Sequence, residues 1–446
     1  MKWTRSRTAT VLAVGTASAL LLSACSSSDE PTNNSPEPTS EAPVDKTPVT
    51  LTVNYWGNFG LEDGTLIAKY EADHPWVTIK TNIGDYAAQH DALQQALIAG
   101  SGAANIAAID EGYITGFVAQ QDGFVNLLDL GAGKYKENYL PWKWAQASNA
   151  DESYTIGLGT DVGGLALCYR TDLFEAAGLP TNRDEVNTLI GDTWDGFIKA
   201  GEQYQDGIGD SKKHWVDNAT NILNPVVTQL GTGYAFYNKN NELDMNNIKP
   251  AFDVAMKVVD AGLSGNIALW TDDWNTGFAN GSFAVLACPA WMMGYIQGQA
   301  PDTAGKWDVA DIPGPGGNWG GSFWSIPAQY DEHTTQESYN FVEWLIQEDQ
   351  QITIFQTVGN LPSQSSLYSN PDIQAFTNEF FSNAPVGAVF TKTAEDIPGA
   401  IYYAPKNAAV STAVQGVLND VQAGKIKSAD AWDAAVAAAE KADAAA

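Results

Sequence analysis

The residues best suited to noncovalent chemistry are aromatic rings and carboxylates at the ends of apolar runs. Asp110 and Glu111 close the run "NIAAID" with no cation beside them in sequence. Trp56 ends "VTLTVNYW" next to Gly57, with Asn58 following, and Trp291 stands just past the proline of "CPAWMMGY". Asp161 lies in "GTDVGG", where two glycines let another backbone come close. Trp274 and Asn275, in "TDDWNTGF", precede an apolar helix start, so Asn275 is equally a candidate helix cap. "NWGGSFW" supplies Trp319, Gly320, Gly321 and Trp324, and Asn224 is an outer candidate. Flat rings are platforms for C–H faces, and carboxylates or amides accept from hydroxyls. A polyhydroxylated ring needs both, and a buried acceptor discriminates because a mismatched epimer leaves it unpaired.

Covalent chemistry finds less support. The four histidines, His74, His90, His214 and His333, show no pair at metal-ligand spacing, which argues against a zinc hydrolase. "GGSFW" lacks the closing glycine of a nucleophile elbow. "NKNNELDMNN" misses the glycine of a calcium loop and reads as a hairpin turn. No phosphate-cradling glycine loop is seen, and neither metal nor cofactor is expected. Acidic pairs with tryptophan platforms also build glycoside hydrolase sites, so that class stays as the alternative, with a structural adhesin as a third.

The elements that must position these residues alternate. "VTLTVNYW" predicts a strand over 49–55, "GTLIAKYEADHP" a helix stopped before Pro75, and "WVTIKTN" the next strand. "DYAAQHDALQQALIAGSG" predicts a helix with Leu93, Ala96 and Leu97 on one face, and "NIAAID" a short buried strand. The fold class is therefore α/β, with mostly parallel sheets expected. Ligands of open α/β sheets bind beyond the carboxyl ends of strands, where Trp56, Asn58, Asp110 and Glu111 fall.

At the start of the chain, Lys2, Arg5 and Arg7 precede an apolar run from Ala9 to Leu22. A basic head, a short apolar core and small residues before a cut describe a secretory leader over 1–24. The run is shorter than the ~20 residues a spanning helix needs. "LSAC" resembles the lipobox of bacterial lipoproteins, which implies cleavage before Cys25 and acylation of its thiol. Residues 25–48 are Ser, Thr, Pro, Asn and acid, a segment that buries nothing and acts as a tether reaching about 75 Å. The formal charge is −30, and loss of the three leader cations makes it −33. An acidic body repels nucleic acid and anionic lipid, so no nucleic acid partner is expected and the membrane is met through the anchor alone. With 44% apolar residues and 15 tryptophans, the remainder supports two lobes. Cys168 and Cys288 are the other two cysteines, a candidate disulfide in an oxidising compartment.

Taken in order, these pieces resemble an extracellular solute-binding lipoprotein of an ABC sugar importer, in the branch of maltose- and cello-oligosaccharide-binding proteins. The stretches that carry the likeness are "VNYWGNFG", "YEADHPWVTIKTN", "IAAIDEGYITGFVAQQDGFVNLLDL", "GGLALCYRTDLFEAAGLP", "WNTGFANGSFAVLACPAWMMGYI", "WGGSFWSIPAQ" and "VGNLPSQ". The resemblance implies a two-lobed periplasmic-binding-protein-like fold of type II, lobe 1 holding 49–158 and 323–368, lobe 2 holding 159–322 and 369–446. It implies that Trp291 is the main stacking ring of lobe 2, that Asp161 and Gly320-Gly321 lie at lobe crossings, and that Tyr402, with Tyr403 as rival, is a late stacking aromatic. It places the strands of Cys168 and Cys288 side by side, and hence pairs them. The expected activity is capture of an oligosaccharide by lobe closure and delivery to permease subunits by a monomeric receptor without catalysis. The block "CYRTDLFEAAGLP" with its cysteines is most similar to cello-oligosaccharide-type binders, implying a β-linked gluco-oligosaccharide such as cellobiose or cellotriose.

Overall fold

The computed structural model describes residues 45–446, apart from Thr232, Ala400 and Ala446. The leader, Cys25 and the tether up to residue 44 lie outside the described residues. Among the described residues nine strands form two sheets. The first has the order β2-β1-β3-β9-β4, built from Val49–Trp56 (β1), Val77–Gly84 (β2), Ile106–Asp110 (β3), Gly157–Gly159 (β4) and Ser322–Ser325 (β9). The second has the order β6-β7-β5-β8, built from Leu165–Arg170 (β5), His214–Val216 (β6), Phe283–Pro289 (β7) and Trp307–Ala310 (β8).

Both sheets are mixed, which corrects the expectation of mostly parallel pairing. β1 runs parallel to β2 and β3, but β9 is antiparallel to β3 and β4. β6 runs parallel to β7, while β5 is antiparallel to β7 and β8. The cause is the chain path. β4 and β8 lead out of their sheets toward the other, whereas β5 and β9 begin where the chain arrives and so run the opposite way. The carboxyl ends of β1, β3 and β7, with Trp56, Asp110 and Trp291, thereby stay on the side where the chain crosses.

Period-two alternation splits each central strand between two cores. Ile106 and Ala108 of β3 join Leu51, Val53 and Tyr55 of β1 against Phe341, Val342 and Leu345 of the helix Glu332–Leu345. Ala107 and Ile109 face the other way, onto Leu93, Ile114 and Phe117. In the second sheet Leu165, Leu167 and Tyr169 of β5 pack with Phe174 and Trp215, and Ala166 and Cys168 with Leu286, Cys288 and Val309. Each such fully buried side chain contributes roughly 1.5–3 kcal/mol.

The expected early elements appear close to their predicted bounds. The helix Thr65–Asp73 ends at His74, because the residue before Pro75 is barred from helical backbone. The helix Tyr86–Ala99 is capped by Asp85, which accepts from the Ala88 amide at 3.0 Å, and stops at Gly100 with φ of 68°. "NKNNELDMNN" is a hairpin turn, closed by the bridge between Tyr237 and Leu243.

Cys168 and Cys288 form a disulfide between the adjacent strands β5 and β7, with Cα atoms 5.5 Å apart. It closes a loop of 120 residues, a constraint worth up to about 5 kcal/mol on the chain-entropy account.

Three crossing segments lie side by side between the sheets. Residues 160–164 occupy the middle, flanked by 318–322 and 361–363. The Thr160 amide donates to Ser322 O at 2.8 Å, the Val162 amide to Leu361 O at 2.9 Å and the Trp319 amide to Gly163 O at 2.9 Å. A Cβ on Gly163 would sit 1.9 Å from the Trp319 carbonyl oxygen, so only glycine permits this approach.

Candidate functional site

On the side of the first sheet the site is built around Asp110. It caps the helix Glu111–Val118, accepting from the Gly112 amide at 2.8 Å and from the Tyr86 hydroxyl at 3.0 Å through Oδ1. Its own amide donates to His90 Nε2 at 3.0 Å, which leaves Nδ1 to donate to Tyr86 O at 2.7 Å and so fixes the neutral tautomer. Burial lowers the His90 pKa and raises that of Asp110. His90 stacks on Tyr113 at 3.9 Å between centroids and lies 4.6 Å from Trp56, whose edge-on neighbours are Phe59 and Tyr86. Trp56 is half-buried and Tyr86 exposed, so this wall presents rings around one carboxylate.

Glu111 turns inward. Its carboxylate accepts from Asn318 Nδ2 at 2.6 Å and from the Gly320 amide at 3.1 Å, while its own amide donates to Gly321 O at 2.9 Å. Burial pushes its pKa up to about 8, opposed by the Lys143 ammonium and reinforced by Asp110. Lys143 is fully buried, lies 3.9 Å from the Phe323 ring centre and has no hydrogen-bond partner within the protein at Nζ. Desolvation lowers its pKa, while Glu111, Asp161 and Asp110 pull it back up. Glu111, Asp161 and Asp110 thus share one buried electrostatic environment with Lys143 beneath the crossings.

On the side of the second sheet Trp291 opens the helix Ala290–Gln299 directly after β7. It is half-buried, and its Nε1 donates to Trp319 O at 3.1 Å. The Trp319 ring stands across it at 5.5 Å and 73°, and Trp270 lies nearly parallel to it at 6.4 Å and 19°. The two walls meet at Gly320. The point where its Cβ would stand is 3.7 Å from Trp291 Nε1 and 3.8 Å from Asp110 Oδ2. An indole and a carboxylate from opposite sheets therefore border one glycine.

Several sequence candidates have other places. Trp274 is fully enclosed, donating from Nε1 to Asp217 Oδ2 at 2.8 Å among Phe278 and Tyr295, so it offers a ligand no face here. Asn275 accepts from the Tyr295 hydroxyl at 2.6 Å, and the helix cap is Thr271. Trp324 is packed inside the first lobe against Tyr55 and Phe59, because central-strand alternation points it into that core; Trp319, on the crossing, is the ring beside Trp291. The Tyr402 hydroxyl bonds Asn241 Oδ1 at 2.7 Å, out on the hairpin. Tyr403 instead takes the place by the acids, its pKa raised by burial and by Glu111 and Asp110. Asp161 accepts from Thr160 Oγ1 at 2.6 Å and the Ser322 amide at 2.9 Å, tying two crossings together. Gly321 leaves room for Asp161 O and Lys143 Nζ, which would stand 2.6 and 2.9 Å from a Cβ. Asn58 is exposed; its side-chain oxygen accepts from the Gly60 amide at 3.1 Å within its own loop, and its backbone carbonyl accepts from Asn360 Nδ2 at 2.9 Å. Asn224 is half-buried in the helix Thr220–Gln229.

Trp270 escaped the sequence reading. It is 53% exposed, with φ of 65°, a left-handed conformation unfavourable for a bulky residue. Its signal was a tryptophan ending the run "NIALW" just before the Thr-Asp-Asp helix start. Lys143 had no signal, since burial of a lone lysine is invisible in "PWKW". Among the described residues no cluster of three or more His, Cys, Asp or Glu side chains is placed to hold a metal, and no helix is long and apolar enough to cross a membrane.

Two α/β lobes joined by three adjacent crossings, with rings and acids gathered where the crossings run, define a protein of the two-lobed periplasmic-binding class. The chain belongs to the bacterial extracellular solute-binding protein family, whose profile matches residues 65–380. It is 25% identical over 278 residues to the arabinooligosaccharide-binding protein of Bacillus subtilis, a match covering 58% of this chain and 60% of that relative. A crystal structure described as extracellular solute-binding protein family 1 is 35% identical, covers 89% of this chain and 100% of its own, and superposes with a TM-score of 0.78. The ABC transporter-associated binding protein of B. animalis subsp. lactis Bl-04, in complex with β-1,6-galactobiose, shares the fold at 21% identity and a TM-score of 0.72, over 88% of this chain and 96% of its own.

Proposed function

We propose that this protein is an extracytoplasmic receptor that captures an oligosaccharide and delivers it to the permease subunits of an ABC importer. The observation that carries the reading is the meeting of Trp291 and Asp110 at Gly320, from opposite lobes. Indole faces at Trp291, Trp319 and Trp270 suit the C–H faces of successive sugar rings, and Asp110 suits a rim hydroxyl. The lobes divide at the crossings, with 49–158 and 323–368 in one and 159–322 and 369–446 in the other. Closure about the crossings buries the sugar, and the closed shape is what the permease reads. The receptor is monomeric and held to the outer face of the membrane by acylated Cys25.

The ligand is a β-linked gluco-oligosaccharide such as cellobiose or cellotriose. The oligosaccharide class is supported by the names of the relatives, one binding arabino-oligosaccharides and one solved with a galactobiose. The glucose preference rests on the block from Cys168 to Pro180. No catalysis is proposed, since Glu111 and Asp161 are spent on the crossings, which leaves Asp110 without a second free carboxylate to pair with.

A melting-shift screen of the mature chain against β- and α-linked gluco-, arabino-, xylo- and galacto-oligosaccharides tests the reading. At least one neutral oligosaccharide raises the melting temperature and is recovered intact, and Trp291→Ala abolishes or greatly weakens that shift without unfolding the protein. A rise in reducing ends on long incubation would establish the hydrolase instead.

A further inference from the structure

Between the two lobes lies a small pocket of about 10 Å³, lined by Glu111, Trp142, Gln146, Thr228, Asn318 and Tyr403 together with Gly399 and Ile401. That is room for about one water molecule in this arrangement. Most of its polar groups are matched. Thr228 Oγ1 donates to Pro225 O at 2.7 Å and accepts from the Asn318 amide at 3.0 Å, and Asn318 Nδ2 donates to Glu111. Two groups are not. Trp142 Nε1 and Gln146 Oε1 are buried without a hydrogen-bond partner in the protein. They come from positions four apart on the short helix Pro141–Gln146, hence from one helix face. Gln146 also acts on Glu111, lowering its pKa, and its own oxygen is left as an acceptor without a partner in the protein.

An unmatched donor and an unmatched acceptor in one buried pocket destabilise the free protein unless a ligand serves both. A hydroxyl both accepts and donates, so it satisfies the pair. A carboxylate or phosphate only accepts and would face Glu111. An ammonium cannot accept from the indole N–H. The walls come from opposite lobes, so lobe opening widens the pocket and closure seals it.

We infer that this pocket is the inner end of the binding site, where the terminal ring of a neutral oligosaccharide inserts a hydroxyl that accepts from Trp142 and donates to Gln146. The inference rests on the receptor reading above and adds to it which residues grip the chain end and why the ligand is uncharged there.

The test is calorimetric titration of the mature chain with cellobiose, maltose, α-1,5-arabinobiose and β-1,6-galactobiose, and with the trisaccharide of each series, for wild type and Trp142→Phe. The variant keeps an aromatic ring but removes part of the indole's volume along with its N–H. Gln146→Met, which replaces the amide by an apolar side chain of similar length, is therefore measured beside it. The expected result for either variant is affinity about five- to tenfold weaker, the loss of one hydrogen bond, with the ligand-free melting temperature of Gln146→Met unchanged or raised. Gln146→Met carries the test alone should Trp142→Phe fail to fold. Unchanged affinity in a variant that folds overturns the inference, and if the ligand-free melting temperature of Gln146→Met also falls, the pocket holds a fixed water instead. Wild type that binds none of these sugars removes the receptor reading and this inference with it; wild type that binds, with indifferent variants, removes the inference alone.

Discussion

Glu111→Gln isolates the buried acid at the centre of the crossings. The carboxyl titrates near 4.5 in its ordinary state, and burial raises it to about 8 in the fold. A carboxyl with a raised native pKa favours folding fully below pH 4.5, and that contribution is lost as pH climbs through 8, because the native state holds the proton longer. At 1.36 kcal/mol per pH unit the window is worth on the order of 5 kcal/mol, and Lys143, titrating beside it, takes up part of it. The variant keeps one oxygen for Asn318 or Gly320 and loses the second acceptor, a cost of about 1 kcal/mol at every pH. Urea unfolding at pH 5, 6, 7 and 8 reads both effects. Wild type should lose about 2–3.5 kcal/mol more than the variant between pH 5 and 8, and the two curves should cross within that range. Parallel pH dependences would refute a buried, proton-holding Glu111.

The crossings, the disulfide and the enclosed tryptophan give further tests. Gly163→Ala drives a Cβ into the Trp319 carbonyl at 1.9 Å, so it should cost about 3 kcal/mol of stability in denaturant melts and weaken binding of every sugar in the panel alike. Cys168→Ala with Cys288→Ala removes the 120-residue loop closure and should lower stability by up to about 5 kcal/mol while leaving the order of ligand preference unchanged. Trp274→Phe deprives Asp217, whose pKa burial already raises to about 6, of its indole donor. It should cost about 1–3 kcal/mol of stability, measured by chemical denaturation, with sugar affinity unaltered.

The first three strands and the helices between them were legible because their apolar periods are local and their ends are marked by Asp85, Gly100 and Pro75. Strand direction was not, since β5 and β9 take their sense from where the chain arrives, a property of the whole path. At the site the same divide holds. Asp110 and Trp291 stand at strand ends, which the pattern announces. Trp274 and Trp324 sit at positions that look equivalent in sequence, and packing alone sends their rings inward. Tyr402 and Tyr403 are neighbours that a one-residue shift exchanges, so local pattern cannot choose between them. Lys143 needed the third dimension altogether, because its partners Glu111 and Asp161 come from distant parts of the chain.

In the proposed function, the segment 318–322 is where binding and closure become one event. Asn318 bonds Glu111, Trp319 accepts from Trp291, Gly320 faces Asp110 and Ser322 donates to Asp161. Each residue of this crossing thus touches a group from one or the other wall. A sugar stacked on Trp291 and bonded to Asp110, as proposed, would pull on both sides of Gly320, whose φ of 80° a side chain would disfavour. Only contacts made better in the closed form shift the equilibrium, and a ligand held by Trp291 alone would bind open and closed forms alike. Asp110 and the opposite wall must therefore engage the same molecule for closure to follow. Among oligosaccharides of matched length, those that fail to reach both walls should bind weakly and leave the lobes open, a difference that small-angle scattering of saturated samples would read as an unchanged radius of gyration.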